Sequence, residues 1–235
     1  MAQLTEKQRL PILITFGGTE EPIDGVRFLT NFSTGSTGAF IYEYLQKRSL
    51  KVYCLHSNRC CFSSCATQNE TFSDFRSLNS QLERILGERK FAAVIHLAAV
   101  SDFSIDFIQI GEKRFAPASA TKIDSDSADK ISLHLKRNFK IIDFLKNYSA
   151  NKEICVFGFK LTNCASESER IKAVEKMFSH SSADFVVQND LSEMSNTRHC
   201  AKIYSRKELI KSITTKEELA HGIFEILSGD IGEKK

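Results

Sequence analysis

The chain has 235 residues, 42% of them hydrophobic, with 32 Lys and Arg against 29 Asp and Glu for a net charge of +3, and no tryptophan. These proportions exclude a disordered, collagen-like or disulfide-stapled chain, and at this length a single domain is expected to bury roughly 70 to 75% of its unfolded surface. The positive excess gathers on no run or helix face, which disfavours nucleic acid as a partner. The longest apolar run, Phe91 to Val100, falls short of the roughly 20 residues of a membrane span, and Met1 to Leu10 has no signal core. A cytoplasmic protein without membrane contact is the expectation. Its seven cysteines, an odd number, fit reduced thiols. Cys54, His56, Cys60, Cys61 and Cys65 cluster, but without the paired short spacings of a zinc site.

Apolar runs of strand length alternate with segments of helical period. Leu10 to Phe16 reads as a buried strand, Gly35 to Lys47 as a helix, and Lys51 to His56 as a second strand. Ser73 to Arg89 carries Phe75, Leu78, Leu82 and Ile85 at helical spacing, and Phe91 to Leu97 is a third strand. A polar stretch from Ser101 to Asp129 follows, then a short strand at Ile131 to Leu135 and a helix at Phe139 to Asn147. Glu153 to Leu161 is a strand. Ser166 with Glu169 forms a capping signature ahead of a helix. Strands follow at Ala183 to Gln188 and Ala201 to Ser205, and Thr215 with Glu218 opens a last helix. The alternation predicts an α/β, Rossmann-like, three-layer α/β/α fold with a mostly parallel central sheet. His96 and His134, inside apolar strands, read as structural.

In such a sheet, ligands sit beyond the carboxyl ends of the strands, so the loops after Phe16, Leu97, Leu161 and Gln188 are the candidate site. Gly17-Gly18-Thr19 follows the first strand, and Ser33-Thr34-Gly35-Ser36-Thr37-Gly38 precedes the helix. Glycines let backbone N–H groups approach an anion, hydroxyls add donors, and the helix presents its positive end to phosphate. The spacing matches neither G-x-G-x-x-G nor the P-loop.

The string from Gly17 to Gly38, G-G-T-x-E-P-I-D-x-V-R-F-x-x-N-x-S-T-G-x-x-G, resembles the signature of the phosphopantothenoylcysteine synthetase family in its stand-alone form. Ala98-Ala99-Val100-Ser101-Asp102 is similar to that family's A-A-V-x-D, Lys122-Ile123 to its K-I, Phe159-Lys160-Leu161 to its F-K-L, and Val187-Gln188-Asn189-Asp190 to its V-x-N-D. The resemblance implies one ligase domain over 1–235, with a flexible flap at about 104–130 and a frayed tail at 229–235. The implied reaction joins 4'-phosphopantothenate and L-cysteine through an acyl-nucleotide, in coenzyme A biosynthesis. It further implies Mg2+ with CTP, or with ATP as the second possibility, and no flavin.

Carried over residue by residue, Gly17, Gly18, Ser33, Gly35, Gly38, Phe159 and Asn189 would hold the nucleotide. Asn31, Ala98, Ala99 and Asp102 would contact phosphopantothenate and the acyl intermediate, Asp102 being also the carboxylate for Mg2+. Lys122 would supply positive charge, and Arg27 would reach across the interface of a homodimer. Each has a plainer alternative: Arg27 paired with Asp24, Asn31 and Asn189 in turns, Asp102 as a cap, Phe159 in the core. After Lys122 the sequence reads Ile-Asp-Ser-Asp instead of the lysine-rich K-x-K-K of many bacterial relatives, which lowers the flap's charge. Competing readings are a nicotinamide-dependent reductase, which lacks its glycine turn here, and a nucleotide-binding regulatory protein without catalysis.

Overall fold

The computed structural model describes residues 10–60, 69–117, 122–124, 126, 129–195 and 198–229. Three strands that the sequence marks as apolar, β1 (Ile12–Phe16), β4 (Val52–Ser57) and β6 (Ala93–His96), are buried along their whole length. Strands buried on both faces belong in a parallel sheet covered by helices. They form its centre, with β5 (Asn69–Phe72), β10 (Cys155–Thr162), β11 (Phe185–Met194), β12 (His199–Ser205) and β13 (Leu209–Ile213) completing the order β13-β12-β11-β10-β6-β1-β4-β5, while β2 (Glu20–Pro22) and β3 (Phe28–Thr30) pair with each other outside it. The pairs from β11 to β5 are parallel, whereas β11–β12 and β12–β13 are antiparallel. The three-layer, mostly parallel expectation therefore holds.

Side chains alternate along β1, and the core divides accordingly. Ile12, Ile14 and Phe16 face α1 (Ser36–Gln46) and α5 (Lys216–Ser228), packing with Ile41, Leu45, Leu219 and Ile223. Leu13 faces the other side, with Leu78 and Leu82 of α2 (Phe75–Glu88), Leu145 of the one-turn α3 (Leu145–Tyr148) and Val174 of α4 (Glu167–His180). Among the described residues no helix is long and apolar enough to cross a membrane.

Local chemistry sets the helix starts. Asp74 accepts from the Ser77 N–H at 2.8 Å, and Ser166 with Glu169 forms the reciprocal capping box. At α5 Thr215 accepts from Glu218 N–H, but the Glu218 carboxylate turns back to Thr214, one residue earlier than a capping box requires.

Three expectations change. The polar stretch carries two strands that the sequence reading did not mark: β7 (Phe103–Ile110) and β8 (Lys113–Phe115) pair with each other, and β7 pairs with β9 (Ile131–Arg137). Phe103, Ile105, Ile108 and Ile110 supply apolar positions that Ser, Asp and Gln disguise as a loop. The helix expected at Phe139 to Asn147 is a 3-10 turn, Ile141–Asp143, followed by α3. β9, expected as a short strand at Ile131 to Leu135, runs on to Arg137 and is exposed throughout, and on it His134 stacks on Phe107 at 4.1 Å. His96, in contrast, is buried as expected, its Nδ1 2.8 Å from Thr15 Oγ1, and burial pushes its pKa down to about 4. Part of the expected flap (118–121, 125, 127, 128), Cys61, Cys65 and the tail from 230 lie outside the described residues; Gly229 caps α5 in the left-handed region.

Candidate active site

The chain leaves β1 toward β4 on one side and leaves β6 toward β10 on the other, so the carboxyl ends of β1 and β6 mark the point where the strand order reverses. Beyond them the two loops run together. Ala99 N–H donates to Gly17 O at 2.8 Å, Thr19 N–H to Ala99 O at 3.2 Å, and Ser101 N–H to Thr19 Oγ1 at 2.9 Å. The parallel pairing thus continues past the strands, and it lays Ala98-Ala99 beside Gly17.

A cavity of about 310 Å³ opens there. Its wall includes Gly17, Ser33, Gly35, Gly38, Ala98, Ala99, Phe159 and Asn189, eight of the positions singled out from sequence. Gly38 brings α1 against β1, since a Cβ there would lie 2.3 Å from Phe16 Cβ. Gly35, at φ 73°, is the N-cap of α1 and has no side chain to cap the helix; of the helix's free N–H groups, that of Ser36 donates to Thr34 Oγ1 at 3.4 Å. The helix therefore opens its positive end into the cavity. Among the lining residues none carries a side chain ionised at neutral pH, so an anion would be met by N–H groups, the hydroxyls of Ser33, Thr34, Ser36 and Thr37, and the helix terminus. Beside the wall, Lys216 Nζ donates to Ser36 Oγ at 3.0 Å.

Gly18 is not in the wall; it bridges Ala99 and lies under Asn31, whose carbonyl oxygen a Cβ on Gly18 would approach to 2.7 Å. Asn31 is at the margin, its Nδ2 donating to Val100 O at 3.1 Å, which fastens it to the Ala98-Ala99 loop. Asp102 pairs with Lys140, and its backbone oxygen accepts from Asn138 N–H at 2.8 Å. It is the one carboxylate in this loop, and among the described residues no group of three or more His, Cys, Asp or Glu could hold a metal. Cys54 and Cys60 do not form one: Cys54 is buried with its thiol pushed up by burial, and Cys60 Sγ donates to Thr34 O.

Arg27 and Lys122 lie outside the cavity wall. Arg27 binds Asp24 through Nε at 3.0 Å and Nη2 at 2.5 Å, and its Nη2 also donates to Ile123 O at 2.7 Å. Lys122 is exposed.

Sequence reading missed Leu191, Met194 and His199 at the far end of the cavity. β11 and β12 both run further than their apolar cores suggest, and the expected strand at Ala201 began two residues too late to include His199. The His199 imidazole is buried, and burial followed by nearby Lys216 holds its pKa below the usual histidine value.

Fold and cavity define a Rossmann-like α/β domain with a glycine- and hydroxyl-lined cavity at its switch point. The chain belongs to the DNA/pantothenate metabolism flavoprotein C-terminal domain family, whose model matches residues 7–229. It is 28% identical over 219 residues to the coenzyme A biosynthesis bifunctional protein CoaBC of Thermococcus kodakarensis, covering 91% of this chain and 50% of that protein. It spans about half the length of the curated relatives it matches. The solved DNA/pantothenate metabolism flavoprotein of Streptococcus pneumoniae superposes with a TM-score of 0.81 at 28% identity, over 94% of this chain and 99% of that one. The C-terminal domain of a CoaBC protein shares the fold at a TM-score of 0.69 and 20% identity, covering 95% and 96% of the two chains.

Proposed function

We propose that this protein is a phosphopantothenate–cysteine ligase of coenzyme A biosynthesis. The observation that carries the reading is the switch-point cavity, where Gly17, Ser33, Gly35 and Gly38 meet Ala98, Ala99, Phe159 and Asn189. A carboxylate is a poor acyl donor. In the proposed reaction a carboxylate oxygen of 4'-phosphopantothenate attacks the α-phosphorus of a nucleoside triphosphate, the bond to the β-phosphate oxygen breaks, and pyrophosphate leaves. The amine of L-cysteine then attacks the acyl carbon. The nucleoside monophosphate departs with the former carboxylate oxygen, and the amine loses a proton.

Two anions meet in the first step, and an uncharged cradle of N–H groups and hydroxyls suits that task because it is oriented before the substrates arrive. Asn31 would donate to the acyl oxygen while staying neutral. Lys122 would add mobile positive charge. Mg2+ takes most of its ligands from phosphates and water, so the single carboxylate of Asp102 fits a supporting part; bound there, it would offset phosphate charge. CTP is the proposed nucleotide, with ATP as the competing outcome.

We further propose a cytoplasmic homodimer in which Arg27 serves the neighbouring site. Its Nη1 makes no bond among the described residues. An apolar row on β9, Ile131, Leu133 and Leu135, is exposed on the same face as Ile105 and Ile108 of β7. Incubating the pure protein with phosphopantothenate, cysteine and each triphosphate in turn, with pyrophosphate and monophosphate followed, tests the activity and the base together. Carboxylate labelled with heavy oxygen should deliver one label to the monophosphate; unlabelled monophosphate would overturn the reading.

A further inference from the structure

Asp24 is buried although its neighbours Gly25, Val26 and Arg27 are exposed, and every bond it accepts serves one of two purposes. Oδ1 accepts from the N–H groups of Val26 at 2.9 Å and Arg27 at 2.8 Å, which closes the turn. Oδ2 accepts from Arg27 Nε and Nη2, and also from Ile123 N–H at 3.0 Å. Arg27 Nη2 in turn donates to Ile123 O at 2.7 Å. The acid and the arginine therefore hold both backbone groups of Ile123, while its side chain is buried against Ile23, Ile105 and Ile108.

We infer that Asp24 is a positioning residue that joins the two outlying cationic groups, Arg27 and Lys122, into one unit. Ile123 is the residue next to Lys122, and its N–H belongs to the Lys122–Ile123 peptide bond. Fixing that bond fixes the point from which the lysine side chain extends. The same carboxylate engages Nε and Nη2 on one side of the guanidinium, which leaves Nη1 to point away. The pair is no ordinary surface ion pair, since the Asp24 side chain has no exposure while Arg27 retains 44%. Charge-assisted bonds from a fully enclosed carboxylate hold a loop far better than a solvated pair does.

The role assigned to the unit rests on the ligase reading, but the latch itself is testable without it. Trypsin cuts after Lys122 only when the Lys122–Ile123 bond can leave its grip. In the full chain, Asp24→Asn keeps the shape of the side chain and removes its charge. Cleavage at that bond should rise about ten-fold or more, as expected for loss of hydrogen bonds to a charged group, while cleavage after Arg114 in β8 stays unchanged. Ligation kcat should fall by about ten-fold or more, with KM for the nucleotide held within about two-fold, because the cradle is elsewhere. Unchanged cleavage after Lys122, or an equal rise at both sites, would overturn the inference. A fall in kcat without new cleavage would also overturn it. If the unmodified protein ligates nothing, the ligase reading fails and the cleavage pattern still judges the latch. Should Asp24→Asn not fold, deuterium uptake at the Ile123 amide of the unmodified protein decides: slow uptake supports the latch, and uptake at the rate of an exposed loop refutes it.

Discussion

Asn31 presents its amide from an exposed loop, tied down by one bond to Val100 O. A carboxylate at that position would repel both that carbonyl and an incoming acyl oxyanion. Asn31→Asp is expected to leave the melting temperature nearly unchanged and to cut ligation by roughly 10² to 10³, the usual effect of losing an oxyanion donor. Retention of near-normal turnover would remove Asn31 from the chemistry. Gly38 makes the opposite prediction. Its Cβ would meet Phe16 at 2.3 to 2.8 Å, so Gly38→Ala should destabilise by about 1–3 kcal/mol through overpacking, measured as a lower denaturation midpoint. At this scale much of the cavity wall was legible, because glycines and hydroxyls beside a strand end mark a place where backbone N–H groups lie open, whatever their partners. Arg27 was legible only as a choice between two roles. Its bond to Asp24 is local, whereas its bond to Ile123 depends on a fold that brings distant residues together.

Among the elements, the ends of β10 and β11 are held together by Asp190. This buried carboxylate accepts from Ser192 Oγ at 2.5 Å, Thr162 Oγ1 at 2.6 Å, and the N–H groups of Cys164, Ala165 and Ser192. The Ser192 and Thr162 hydroxyls, with those N–H groups, keep its pKa well below the usual carboxylate range. The unfolded chain binds this proton near pH 3.9 while the folded chain does not. Its stabilisation is therefore complete above that pH and is lost as the pH falls toward the depressed folded value. Asp190→Asn should lower the melting temperature at neutral pH and flatten its decline below about pH 4; an acid limb as steep as in the unmodified protein would show that Asp190 is not its source. Strands buried on both faces were plain from sequence. β7 and β13 were not, because edge and half-exposed strands mix polar residues into their apolar period. β5 was equally hidden, since Asn69-Glu70-Thr71-Phe72 has a single buried side chain.

For the whole molecule, the small sheet β8-β7-β9 leaves part of its apolar face uncovered. Its apolar face is covered over β7 by Ile23 and Ile123 but runs into solvent at Leu133 and Leu135. Under the proposed homodimer, Leu133→Asp should shift the sedimentation of the protein from two chains to one, with the melting curve of the large sheet retained. A single-chain mass before the substitution would refute the dimer. No periodicity could have announced this face, because an exposed apolar row and a buried one are spelled alike.

The order of the central sheet also bears on how the chain is made. β6 is emitted well before β10, and the β6 edge that β10 pairs with stays open until β10 has been made. During synthesis, therefore, a half-built sheet waits with an open hydrophobic seam while some sixty further residues leave the ribosome at about 5–20 per second. Such a seam invites pairing with a neighbouring nascent chain. Chaperone occupancy should consequently peak while translation crosses the stretch between these two strands and fall once β10 has cleared the exit tunnel.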